Sequence, residues 1–179
     1  MTIADFWVDG VPPAAQPSAD DVATLGALVA FQAHVCTFLR SWNPLGAISA
    51  QARPYAITYA DHATIEANIA KSMQSIGISL LVDLTTATKK SAMRNACCFQ
   101  PFGFQVSIIE SPTLNRSASG TRLPCKRVAE QVALCLEGTA LGNGQCDLKG
   151  IQFPTDDIGL QKALVSFETA LVITLPGLT

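Results

Sequence analysis

The side chains that could do chemistry here are few: six cysteines, two histidines and the adjacent carboxylates Asp156 and Asp157. Cys36, Cys97, Cys98, Cys125, Cys135 and Cys146 include no Cys-x-x-Cys pair, and His34 and His62 stand far from paired ligand positions, so zinc spacing is absent. Cys97 or Cys98 with His62 could in principle form a thiol nucleophile and its base, but nothing in the spacing brings them together. Cys125 and Cys135 recur on the apolar side of a helical pattern, where a cysteine is a small buried hydrophobe. Asp156 and Asp157 are neighbours that point apart in an extended chain and lack the other oxygen ligands of a calcium loop. They read as a solvated turn. The phosphate-binding glycine loops, the Gly-x-Ser-x-Gly elbow and the His-Glu-x-x-His helix do not occur. The expectation is therefore no catalytic residue, no metal and no cofactor. A basic start followed by an apolar core, the mark of a secretory leader, is not seen either, and reduced cysteines are expected.

Composition points toward assembly. Of the 179 residues 49% are apolar and 15% charged, against roughly 25% charged in ordinary soluble domains. A surface so poor in charge is most simply covered by other subunits. The net charge of -2 argues against a generic nucleic-acid binder, yet the charges are uneven. Asp5, Asp9, Asp20 and Asp21 precede the first basic residue, Arg40. Lys89, Lys90, Arg94, Arg116, Arg122, Lys126 and Arg127 follow with only Glu110 among them. They are either solvated loop ends or a basic surface for an acidic partner or nucleic acid. Val22 to Leu39 lacks Asp, Glu, Lys and Arg, but Thr24, Gln32, His34 and Thr37 favour a packed helix over a membrane span.

The elements that must position these groups follow from periodicity. Phe6 and Trp7, ahead of Pro12, Pro13 and Pro17, read as an arm that docks on its own domain or on a neighbour. A helix is expected over Val22 to Leu39, then an irregular connection with a short extended piece at Tyr55 to Tyr59. Asp61 can cap a helix whose stripe is Ile65, Ile69, Met73 and Ile76, with Gly77 as its stop. Ile78, Leu80, Val82 and Leu84 alternate as a strand, and Thr86 to Pro101 reads as a long polar hairpin loop. Phe104, Val106 and Ile108 mark a second strand. An irregular loop leads to a helix capped by Thr121 and lined by Cys125, Val128, Val132, Cys135 and Leu136, with Gly138 as its stop. A short strand with a bulge at Gly150 spans Leu148 to Phe153. Gln161 to Leu175 alternates for longer than most strands, and either bridges subunits or breaks in two.

This order implies an α+β two-layer sandwich, with an antiparallel or mixed sheet of about four strands and helices on one face. Residues 1–60 read as an N-terminal arm and helix extension, and 61–179 as the core domain.

The stretch VSIIESPTLNR, then GTR, the helix AEQVALCLEG and the later ALVSFETALVIT resembles phage tail terminator and tail-completion proteins. The resemblance implies a structural virion protein and not an enzyme: a ring, usually hexameric, capping the head-proximal end of a tail tube and joining it to the head–tail connector. Its partners would be further copies of itself, the tail tube protein and the connector protein, with no membrane involved. It would reside in the virion after assembly in the host cytoplasm. Glu110, Asn115 and Arg116 match the motif and, with Arg122, Phe167 and Leu171, are expected at a subunit or partner interface. Lys89, Lys90 and Arg94 could line a channel for non-specific DNA passage or face an acidic connector surface. Another connector, neck or baseplate component shares the same needs. A cytosolic small-ligand-binding α+β domain is the alternative of a different class.

Overall fold

The computed structural model describes residues 6–49, 54–59, 64–93, 96–117, 119–155 and 159–174. Six helices are seen among them: α1 (Ala19–Leu25), α2 (Ala27–Ser41), α3 (Gly46–Ser49), α4 (Ile65–Ile76), α5 (Pro112–Asn115) and α6 (Cys125–Leu136). The strands are β1 (Ile57–Tyr59), β2 (Ile78–Met93), β3 (Ala96–Glu110), β4 (Ala140–Leu141), β5 (Gly144–Gln145), β6 (Asp147–Gln152) and β7 (Gln161–Thr174). Five strands, one more than the alternation suggested, form a mixed sheet in the order β1-β2-β3-β7-β6, and β4 with β5 forms a separate small hairpin. β1 runs parallel to β2, and the other pairings are antiparallel. The chain is thus α+β. The additional strand is β1, which lies within the short extended piece expected at Tyr55 to Tyr59 and joins the sheet as a three-residue edge.

Alternation sorts the sheet into two faces. Ile78, Leu80, Val82, Phe102, Phe104, Val106, Ile108, Ala163, Val165, Phe167 and Leu171 are buried, and with Phe31, Val35, Phe38, Leu39, Val128, Val132 and Leu136 they form one core. Residues on both sides of position 60 share it. At its centre the Phe31 ring meets Phe102 and Phe104 edge-on at 5.1 and 5.4 Å, and Phe104 stacks on Phe167 at 5.3 Å. Burying each such side chain contributes about 2–3 kcal/mol. α2 and α6 run antiparallel across this layer. Phe38 meets Cys135 through its carbonyl, and one turn further on Trp42 Nε1 donates to Gln131 Oε1 at 3.3 Å.

Several local expectations need correcting. The single helix over Val22 to Leu39 is broken at Gly26, whose φ of 79° ends α1 and starts α2. The region from Thr86 to Pro101 is not a loop: β2 and β3 continue through it, pairing Ala87 with Phe102, Lys89 with Phe99 and Met93 with Ala96. Thr85 to Ser91 are exposed on both faces, so the apolar alternation that betrays a strand has no reason to persist. Pro112–Asn115 is a short helix within the segment read as an irregular loop. β7 neither breaks nor leaves its sheet, since it pairs with β3 from Gln161↔Glu110 to Thr174↔Ala96. The bulge near Gly150 is present as a register shift between Leu148 and Gly150. Phe6 and Trp7 dock on their own chain, against Trp42 and Phe38. Asp61 and His62 lie outside the described residues, and α4 starts after Thr64.

Three strands thereby outrun the helices. Beyond Phe102 and Leu171, β2, β3 and β7 continue together as a blade. Its outer edge, the β2 segment past Val82, has no partner strand among the described residues.

Candidate interface site at the β3–α6 junction

The motif residues come together where β3 ends, α5 turns and α6 begins. Glu110 closes β3 on the core side and is 3% exposed, and Asn115, at the end of α5, is 1% exposed. Asn115 Nδ2 donates to Glu110 Oε1 at 2.7 Å and to the Leu123 carbonyl at 2.8 Å. Its Oδ1 accepts from Thr121 Oγ1 at 2.6 Å and from the Arg122 amide at 3.1 Å. Every donor and acceptor of that amide is used, which is what allows it to be buried. Glu110 Oε2 accepts the Cys125 amide at 2.6 Å, so a carboxylate caps the first turn of α6 from fifteen residues upstream. An anion at that position also complements the helix dipole. The cap expected of Thr121 is thus supplied by Glu110, while Thr121 braces Asn115.

Two glycines let the backbone close around Asn115. Gly77, left-handed at φ 73°, lies so near that a Cβ there would sit 2.2 Å from the Asn115 amide nitrogen. A Cβ on Gly120 would sit 1.9 Å from the Asn115 carbonyl oxygen. The Gly77 carbonyl in turn accepts the Ser111 amide at 2.8 Å. The tightened loop holds Arg122 at φ 60°, in the left-handed region that costs a side-chain-bearing residue roughly 1 kcal/mol or more. What this arrangement presents to solvent is Leu114, 42% exposed, with Arg116 and Arg122 beside it in sequence.

The other expected interface residues are placed differently. Phe167 and Leu171 face the helices of their own chain and are 1% and 5% exposed. Lys89 and Lys90 are exposed on the blade, where Lys90 Nζ donates to Gln100 Oε1 at 2.7 Å, and Arg94 lies outside the described residues. The six cysteines are free thiols. Burial pushes Cys36, Cys125 and Cys146 up to about 12 and raises Cys135 as well, which leaves them protonated and unreactive at neutral pH. Among the described residues no group of three His, Cys, Asp or Glu could hold a metal ion, and no helix is long and apolar enough to cross a membrane.

Two grooves accompany the junction and the blade. One of about 360 Å³ is lined by Pro101, Gln145 and the cluster in which Lys149 Nζ meets Asp147 at 2.6 Å and Glu168 at 2.9 Å. The other, about 330 Å³, lies beside the start of α6, where Lys126 Nζ stands 5.6 Å from the Phe153 ring centre. The second is also lined by Cys125, whose thiol is kept protonated at neutral pH by burial.

No protein-family model matches the chain, and no curated protein matches it in sequence. Among solved structures it is similar to a chain in the virion of a native gene transfer agent particle, at 18% identity, with 79% of this chain and 93% of that one covered and a TM-score of 0.43. Two structures from Akkermansia muciniphila are also similar. One has 12% identity, covers 84% of this chain and 80% of that one, and has a TM-score of 0.33. The other, a protein without its transmembrane region, has 10% identity, coverage of 82% and 86%, and a TM-score of 0.29.

Proposed function

We propose that the chain is a structural virion protein, a non-enzymatic ring subunit of the tail-terminator kind that caps the head-proximal end of a tail tube and joins it to the connector. The observation that carries this reading is the blade. Three paired strands project past the helical layer, and Thr85 to Ser91 are exposed on both faces. A sheet extension that buries none of these residues within its own chain gains from burial between subunits.

The β3–α6 junction supports the same reading. Glu110 and Asn115 act inside the subunit, holding a loop that offers Leu114, Arg116 and Arg122 to a neighbour or to the tube. Phe167 and Leu171 contribute by keeping β7 seated on its own helices. Lys89 and Lys90 are the charges that the blade presents to a partner.

The test is native mass by light scattering over a range of concentrations, with electron micrographs of the same sample. Rings, either alone or on adding tail tube protein, are the expected result. A monomer that ignores the tube protein at every concentration would overturn the assignment.

A further inference from the structure

We propose that the cationic blade of one copy docks on the acidic helix α1 of the next, a head-to-tail contact that rests on the ring reading and names its lateral interface. Past Asp83, which is itself exposed at the base of this edge, the blade is charged with one sign. From Thr85 to Pro101 the sequence holds Lys89, Lys90 and Arg94 and no Asp or Glu. Lys89 and Lys90 stand on the β2 edge, and close to them Cys97 and Cys98 are half-buried and Val172 is 37% exposed, while Phe99 packs against the core of its own chain. It is a surface of lysines set among apolar side chains.

α1 carries the complement. It contains no buried residue, although a helix of seven residues is marginal in water unless something covers it. Its first turn presents Asp20 and Asp21, both exposed, and Leu25 at its far end and Leu28 in the first turn of α2 are 40% and 41% exposed. No basic residue precedes Arg40 in the sequence. The opposed charges favour this pairing and set its orientation, and the exposed leucines supply apolar area to bury.

The two surfaces do not meet within one subunit, because Thr85 to Ser91 remain exposed. They also belong to different sides of it. The lysines lie on the β2 edge, while the segment leading into α1 is tied beyond β7: the Ala15 carbonyl accepts the Gly142 amide at 2.8 Å, and Gly142 bridges to Ala170. Unlike surfaces on unlike sides give a heterologous contact, the kind that closes rings. The β2 edge itself carries three register shifts as well as its lysines, devices that block indiscriminate strand pairing and leave side-chain docking as the available mode.

The experiment compares the native mass of wild type, K89E/K90E, D20K/D21K and the combined quadruple variant across protein and salt concentrations, with thermal melts of each. The lysines are exposed, so a melt close to wild type is expected for K89E/K90E, whereas D20K/D21K also loses the Ser18 Oγ–Asp21 hydrogen bond and sets cations in the first turn of α1, so a small drop is expected there. Each reversal should weaken assembly by at least about tenfold, added salt should weaken the wild type, and the quadruple variant should recover assembly. Wild-type rings that persist in both reversals would overturn the contact and leave the ring reading standing. A wild type that stays monomeric with or without tube protein would overturn both. Intact rings of K89E/K90E that have lost affinity for duplex DNA would replace the contact with a phosphate partner.

Discussion

Asn115 Nδ2 lies 2.7 Å from Glu110 Oε1, and neither side chain is more than 3% exposed. The pair joins the end of β3 to the start of α6. Replacing Asn115 with alanine would leave the Leu123 carbonyl, the Thr121 hydroxyl and one carboxylate oxygen without their partner, while the Arg122 amide keeps the residue 115 carbonyl, and a loss of about 2–4 kcal/mol is expected in urea unfolding. Asn115→Asp should cost more at neutral pH, where it opposes two carboxylates, and should recover as acid neutralises one of them.

A matched comparison isolates the crowding at Gly77. Gly77 and Gly10 have φ of 73° and 72°, but only Gly77 has backbone atoms within reach of a Cβ. Gly10→Ala should cost about 1 kcal/mol, the strain of the left-handed conformation alone. Gly77→Ala should lower the melting temperature much further, because α5 must move.

Phe167→Ala is expected to cost about 3–5 kcal/mol, and Phe167→Lys or Leu171→Lys to prevent folding, since these side chains complete the core of their own subunit. Unfolding at concentrations too low for assembly checks this. A stable monomer of the lysine variants would show that β7 is misplaced.

The thiols supply a pH test. Cys36, Cys125 and Cys146 titrate near 12 when folded, against about 9 for the free thiol, so both states are protonated below 9 and their contribution is flat there. Above 9 the unfolded chain ionises first, so stability should fall progressively between pH 9 and 12. In the folded protein at neutral pH, the half-buried Cys97 and Cys98 should be alkylated well before the other four.

Apolar periodicity made the helix-facing parts legible. The stripe of α6 and the alternation of Ile78–Leu84, Phe104–Ile108 and β7 are each dictated by a single face turned to the core, and the α4 stripe by a half-buried face of which Ile76 reaches the core. The blade was not legible, since residues exposed on both faces carry no alternation, and Thr86 to Ser91 look like a loop for that reason. The break at Gly26 was hidden in a run whose apolar spacing continues through it. Glu110 and Asn115 stood out only by resemblance, and their internal role was beyond local reading because the α6 cap comes from another element. An acidic residue ending a strand whose neighbours face the core, with a nearby asparagine, is the signal that could have found it.

The β3–β7 pairing governs how the chain can be made. Glu110 pairs directly with Gln161, about fifty residues downstream, and at roughly 5–20 residues per second the ribosome needs several seconds to cover that distance. During that interval β2 and β3 can close as a local hairpin, but Phe104 waits without Phe167. The nascent chain thus passes through a stage with one flank of its apolar sheet uncovered. A chaperone binding site is expected there, one that vanishes once β7 has emerged.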